Sequence, residues 1–296
     1  MAEAVEVAPG VLRLTCANPG PMTATGTQSY LVGRRELAVI DPGPADVGHL
    51  EALRGAIAAR PVVAILVTHS HRDHSGGAPA LAAATGAPVL AFGPHGAGMS
   101  ATMRALAQAG DLGGGEGADA AFHPDRRLED GALVTVDGRQ IRALHTPGHL
   151  SNHLSFALEA EGLLFTGDTV MGWSTTLVSP PEGDMAAFMA TLARLSARRG
   201  LDQRYLPGHG ATVDNPADLL ARQTAHREAR ARSVLAALAA GPASAAELTP
   251  RVYVDTPAHL HAAARRNLLA TLLWRLEAGE IKALGPIGPD TRFALA

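Results

Sequence analysis

Between residues 5 and 41 the apolar positions fall into short runs. Val11-Leu12-Arg13-Leu14 alternates, Tyr30-Leu31-Val32 is apolar throughout, and Leu37-Ala38-Val39-Ile40 runs into Asp41-Pro42-Gly43. Runs of this length predict strands. Asn18 to Thr27, between them, is crowded with Pro and Gly and predicts irregular chain. From His49 to Arg60 the spacing of Leu50, Leu53 and Ile57 predicts a helix. Val62 to Val67 is a continuous apolar run and predicts a buried strand. Pro79 to Ala84 continues as helix, and Pro88 to Phe92 as strand. Strands and helices that alternate in this way predict an α/β protein whose sheet is covered on both faces.

Residues 93–131 break the rhythm. A helical Met99–Ala109 is flanked by Gly93, Gly96 and Gly98 on one side and by Gly110, Gly113, Gly114, Gly115 and Gly117 on the other. So many glycines will not hold a rigid element, and a surface insertion is the expectation. Four strands follow, at Leu133–Val136, Ile141–Leu144, Leu154–Leu158 and Leu163–Phe165, with turns at Asp137-Gly138 and Glu161-Gly162. Met185, Phe188, Met189, Leu192 and Leu195 form one helical stripe behind the N-cap candidate Asp184. Past Asn215 and Pro216 the chain turns to long helices rich in Ala, Arg and Leu, ending in a hairpin pattern over 281–295. Helix, helix, hairpin is the outline of a winged helix, whose core Trp274 and the leucine face of its longer helix are expected to form. Two domains are expected, 1–215 and 216–296.

Composition narrows the class. At 47% hydrophobic and 18% charged over 296 residues, the chain can bury a core without staples. Its net charge of -3 gives no general pull toward nucleic acid. Residues 216–296 hold 10 Lys/Arg against 7 Asp/Glu, while the remainder holds 15 against 21. That mild basicity does not by itself imply nucleic-acid binding. The single cysteine, Cys16, excludes an intramolecular disulfide. No apolar run approaches the roughly 20 residues that span a bilayer, and the first residues lack a signal-peptide pattern. A cytoplasmic protein without membrane contact is expected.

Chemistry concentrates where strands end. Val62–Val67 leads into Thr68-His69-Ser70-His71-Arg72-Asp73-His74, three histidines and an aspartate within six positions. Solvated histidines need no such spacing, whereas metal ligands do. His69 and His71, alternate along the chain, can reach one ion; Asp73 and His74 can turn to a second. Further donors stand at later strand ends: His149 in Thr-Pro-Gly-His, Asp168 in Thr-Gly-Asp, and His209 in Pro-Gly-His-Gly. Asp168 has two oxygens and can bridge. Imidazole and carboxylate together suit Zn, and also Fe or Mn. Asp41 is either a turn former or a carboxylate that orients a metal-bound histidine, and the neighbouring histidines favour the second. His153 is a candidate proton donor or a structural partner, and Asn152 shares both readings. Trp173 is either at a substrate entrance or in the core. The loop histidines His95 and His123 are not expected to be ligands.

At these residues the chain resembles the metallo-β-lactamase superfamily. The resemblance implies a four-layer αββα sandwich with a metal site at one edge. It implies that His69, His71 and His149 hold one metal, that Asp73, His74 and His209 hold the other, and that Asp168 bridges. His71 is the choice of the hydrolases. The bridging Asp168 is the glyoxalase-II and nuclease pattern, which argues against a true lactamase. Asn18 to Thr27, Gly172 to Leu177, and His259 through Asn267 to Gly279 are similar to the β-lactamase-like protein 2 group, whose members carry a C-terminal winged helix. The expected function is a dinuclear zinc hydrolase that uses a metal-bridging hydroxide, aimed by Asp73, on an ester, thioester or phosphodiester. The alternatives are an endoribonuclease acting on single-stranded RNA and an iron-dependent persulfide dioxygenase. The expected partner is a small ester or thioester, or single-stranded RNA. A homodimer also fits.

Overall fold

In the computed structural model, residues 3–110, 112, 113, 115 and 117–296 are described. Gly114 of the glycine-rich stretch lies outside them. The first half forms a seven-stranded sheet in sequence order: β1 (Val5–Ala8), β2 (Val11–Thr15), β3 (Gln28–Val32), β4 (Leu37–Ile40), β5 (Val62–Leu66), β6 (Val89–Ala91) and β7 (Arg126–Arg127). Its first four strands pair antiparallel and the rest parallel. The connections hold α1 (Val47–Ile57), α2 (Arg72–Ser75), α3 (Ala78–Thr85) and α4 (Ala101–Ala109). A second sheet contains β8 (Leu133–Val136), β9 (Arg139–His145), β10 (Leu154–Leu158), β11 (Leu163–Gly167) and β12 (Arg204–Pro207), in the order β12-β11-β10-β9-β8. Between its last two strands runs α5 (Met185–Ala197).

The continuous apolar runs are explained by burial on both faces. Along β4, Ala38 and Ile40 face the second sheet, where they meet Phe156, Phe165 and Leu206. Leu37 and Val39 face outward onto Leu53 and Ile57 of α1 and Leu81 of α3. On the far side, Leu144, Ala157 and Leu164 of the second sheet pack under Met185, Phe188, Leu192 and Leu195 of α5. Period-two alternation thus places two sheets face to face with helices outside each, the expected four layers.

The remaining chain forms α6 (Pro216–Leu238), α7 (Ala245–Val252), α8 (His261–Glu277) and a small sheet of β13 (Ala243–Ser244), β14 (Ile281–Ala283) and β15 (Arg292–Leu295), ordered β13-β15-β14. Ser244 and Glu247 make a reciprocal capping box at the start of α7. Asn215 precedes α6 but makes no capping hydrogen bond; its side chain donates to Asp218 instead.

Two packing results differ from the sequence expectations. The 93–131 segment is not a free surface insertion. Met103 and Leu106 of α4 are buried against Val234, Leu248, Leu268 and Phe293 of the C-terminal segment. Trp274 does not belong to the winged-helix core either. It packs against the cluster under α5 and α6, with the Arg275 guanidinium over its ring. In both cases tertiary contact decides, and periodicity within one element cannot show it. No helix among the described residues is long and apolar enough to cross a membrane.

Candidate metal centre

All seven expected ligands meet at one end of the sandwich. His69 and His71 follow β5, and Asp73 and His74 lie in α2. His149 follows β9, Asp168 follows β11 and His209 follows β12. Glycine precedes three of them because the chain is crowded there. A Cβ on Gly208 would come within 2.5 Å of Asp168 Oδ1, and one on Gly148 within 2.4 Å of the Phe188 backbone.

The donor atoms form two groups, His69, His71, His149 and Asp168 in one, and Asp73, His74 and His209 in the other. In the first, His71 Nδ1 lies 3.0 Å from His69 Nε2 and 3.1 Å from His149 Nε2. In the second, His74 Nε2 and His209 Nε2 face each other at 3.3 Å, and Asp73 Oδ2 is 3.3 Å from His209 Nε2. Asp168 reaches both. Its Oδ2 is 3.7 Å from His149 Nε2 and 3.3 Å from His209 Nε2, and its Oδ1 is 3.4 Å from His74 Nε2.

In four of the five candidate ligand rings the other nitrogen is held. His74 Nδ1 donates to Asp41 Oδ2 at 2.9 Å, and His149 Nδ1 to the Leu177 carbonyl at 2.9 Å. His69 Nδ1 contacts the Thr68 hydroxyl at 2.9 Å, and that hydroxyl donates to Asp41. His209 Nδ1 donates to the Gly26 carbonyl at 3.3 Å. These contacts fix tautomers and turn the free lone pairs inward. Asp41 therefore makes the contacts expected of a carboxylate that orients these histidines. Asp73 is held by Thr27, whose hydroxyl donates to Oδ2 at 3.0 Å and is itself bonded by Asn18. The Pro- and Gly-rich segment 18–27 thus supports a ligand, a function its composition did not disclose.

Electrostatics separates the groups. Burial and the neighbouring His149 push His71 down to about 3, and burial likewise holds His69 well below its ordinary value. In the second group burial opposes charge, but the carboxylates win. Asp73, Asp168 and Asp41 raise His74 well above its ordinary value, and Asp168 and Asp73 lift His209 to about 9. Against the cost of burial, His209 and His74 hold Asp168 well below the usual carboxylate range.

The residues fit divalent metal. Five imidazoles and two carboxylates are borderline to hard donors. Nitrogen lone pairs face one another across about a hydrogen-bond length, and the buried Asp168 Oδ1 accepts no hydrogen bond among the described residues. A shared cation satisfies both features.

The remaining candidates divide. His153 is fully buried. Its Nδ1 meets the Thr146 and Thr169 hydroxyls, and its Nε2 accepts the Asp168 backbone N–H at 3.2 Å. Asn152 donates to Ser70 and to the carbonyls of Gly93 and Pro94. Trp173, 41% exposed, lines the mouth of a cavity of about 360 Å3 that also contains His71, Asp73, His149, Asp168 and His209. Its other walls include Met22, Leu150, Met171, Leu177, Glu182 and Arg266. His95 belongs to neither donor group; it bonds Ser70 and lies 3.3 Å from Glu182. His123 is exposed and apart from both groups.

Residues 22–210 match the sequence pattern of the metallo-β-lactamase superfamily, and residues 244–279 that of the β-lactamase-associated winged helix domain. The chain belongs to the metallo-β-lactamase superfamily. Relatives within it include the lactamase-like protein adaB of Aspergillus niger, 31% identical over 93% of this chain and 82% of that protein. An atrochrysone carboxyl ACP thioesterase of Aspergillus fumigatus is 31% identical over 85% of this chain and 76% of its own length. A β-lactamase domain protein from Burkholderia ambifaria superposes with a TM-score of 0.81 at 27% identity, covering 99% of this chain and 94% of that one. This member of the superfamily is a metal-dependent hydrolase, with candidate metal ligands brought together at one site.

Proposed function

We propose that the chain is a dinuclear zinc hydrolase that cleaves a thioester. The observation that carries the two-metal reading is Asp168, which lies within 4.0 Å of ligand nitrogens in both groups. The thioester reading is supported by the thioesterase relative and by the chemistry of the cavity. His69, His71 and His149 would hold one ion, Asp73, His74 and His209 the other, with Asp168 shared. Metal held there lowers the pKa of water to near neutrality and polarises an acyl oxygen.

The protein's own groups do the rest. Met22, Leu150, Met171, Trp173 and Leu177 offer an apolar wall for an acyl group. Asp73, fixed by Thr27, accepts a hydrogen bond from the attacking water and aims it. The C–S bond then breaks to give a carboxylic acid and a thiol. A thiol ionises at about pH 8.5, so its thiolate leaves without a strong general acid. That suits a site whose proton-donor candidate, His153, is engaged on both nitrogens and does not line the cavity. In this reading His153 is a positioning residue for Asp168. Residues 1–215 carry the chemistry, and 216–296 shape the cleft.

The test is metal analysis followed by a panel of thioester, lactone and single-stranded RNA substrates. Two zinc ions per chain and thioester turnover that fails in His71→Ala and Asp168→Ala are expected. Cleavage of RNA alone would replace this reading with the nuclease. Iron with sulfur oxidation would replace it with the dioxygenase.

A further inference from the structure

Helix α8 puts two arginines side by side and treats them differently. Arg265 reaches outward, donating to Asp290 at 3.0 Å and to the Pro289 carbonyl at 3.1 Å. Arg266 is half-buried, lines the metal-site cavity, and forms no ion pair among the described residues. Its Nε is buried without a hydrogen-bond partner. The next residue, Asn267, clamps the helix to the site. Its Oδ1 accepts from the Val178 N–H and from Arg227, and its Nδ2 donates to Tyr253. Arg266 is therefore held in place by its neighbour.

The rest of the cavity has no use for this cation. Among the described lining residues Arg266 is the one Arg or Lys. The three lining acids are committed, since Asp73 and Asp168 belong to the metal groups and Glu182 lies 3.3 Å from His95. A partly buried guanidinium without an anion is costly, and its planar donor fork matches carboxylate or phosphate oxygens. The other walls are largely apolar, so such an anion must arrive with the ligand.

We propose that Arg266 is a specificity-determining residue that reads an anionic oxygen group, carboxylate or phosphate, on the substrate. The winged-helix segment would then select substrates for a centre built entirely by the preceding chain. This rests on the thioesterase reading for the identity of the scissile bond, though not for the anion site itself.

Matched thioesters provide the test. One arm compares S-acyl pantetheine with and without its 4′-phosphate. The other compares acyl groups with and without a terminal carboxylate on one thiol. The wild type is expected to prefer the anionic member of at least one pair by about tenfold to a hundredfold in kcat/KM, the range of a hydrogen bond to a charged group. Arg266→Ala should collapse that ratio toward one, Arg266→Lys should keep part of it, and Arg265→Ala should keep all of it. A wild type without preference, or a ratio unchanged in Arg266→Ala, overturns the proposal. If no thioester is cleaved, the functional reading fails, and the anion site is judged by binding alone. Trp173 fluorescence titrated with 4′-phosphopantetheine, pantetheine and an acyl dicarboxylate should then show at least one anion bound about tenfold more weakly by Arg266→Ala. Equal binding by both proteins overturns the site.

Discussion

The Asp41 carboxylate accepts the Nδ1 hydrogen of His74 at 2.9 Å, and both side chains are almost wholly buried. The same carboxylate takes the backbone N–H and the hydroxyl of Thr68 at 2.7 and 2.8 Å. One buried anion thus aligns a ligand of the second group and, through Thr68, His69 of the first.

Asp41→Asn keeps the shape and removes the charge. Metal affinity is expected to fall about 10- to 100-fold, the usual effect of losing a partner that orients a ligand. Competition with a chromophoric chelator measures it. An unchanged affinity would mean that the Asp41 contact does not tune the ligands.

The clamp between α8 and the loop before α5 makes a stability prediction. Asn267→Ala leaves Val178 N–H, Arg227 and the Tyr253 hydroxyl short of a partner. The cost is expected to be about 3 kcal/mol in denaturant unfolding, since buried groups left unpaired cost roughly 1–3 kcal/mol each and some will relax. The loop should loosen as well, because Arg227 also donates to the Thr176 carbonyl. A blunted or shifted emission from Trp173 would report it.

How much of this was legible in the sequence depends on how far each feature reaches along the chain. The candidate ligands could be read because five of the seven stand just past a strand and the other two in the short helix behind β5, so that four crowd into six residues. A sheet covered on both faces could be read because apolar runs that face two ways leave no polar alternation, whereas the four-layer arrangement followed only from the resemblance to the superfamily. The support for Asp73 could not, since Thr27 is 46 residues away and lies in a segment whose composition says only that it turns. Glu182 with His95, and Arg266 in the cavity, are likewise products of tertiary packing. The burial of α4 against the C-terminal segment belongs to the same class.

His145 makes a pH prediction away from the ligands. Its ring stacks on Phe92 at 3.9 Å, and its Nε2–H donates to the Ser151 carbonyl. Burial lowers its pKa, with nearby Arg194 adding to the effect. Above its ordinary value of about 6.5 the ring is neutral in both folded and unfolded chains. As pH falls below that value, the unfolded chain takes up a proton that the folded one resists, so stability declines. His145→Phe keeps the stack and removes the titration. The Tm difference between wild type and variant should therefore shrink from pH 7 to pH 5. A constant difference would rule His145 out as a source of acid sensitivity.

The central claim is that Asp168 joins two metal groups into one centre. Anomalous diffraction at the zinc edge, from crystals of the zinc-loaded protein, tests it most directly. Two peaks are predicted, one among His69, His71 and His149, the other among Asp73, His74 and His209, with an Asp168 oxygen ligating each. A single peak, or two peaks with Asp168 bound to neither or to only one, would contradict it.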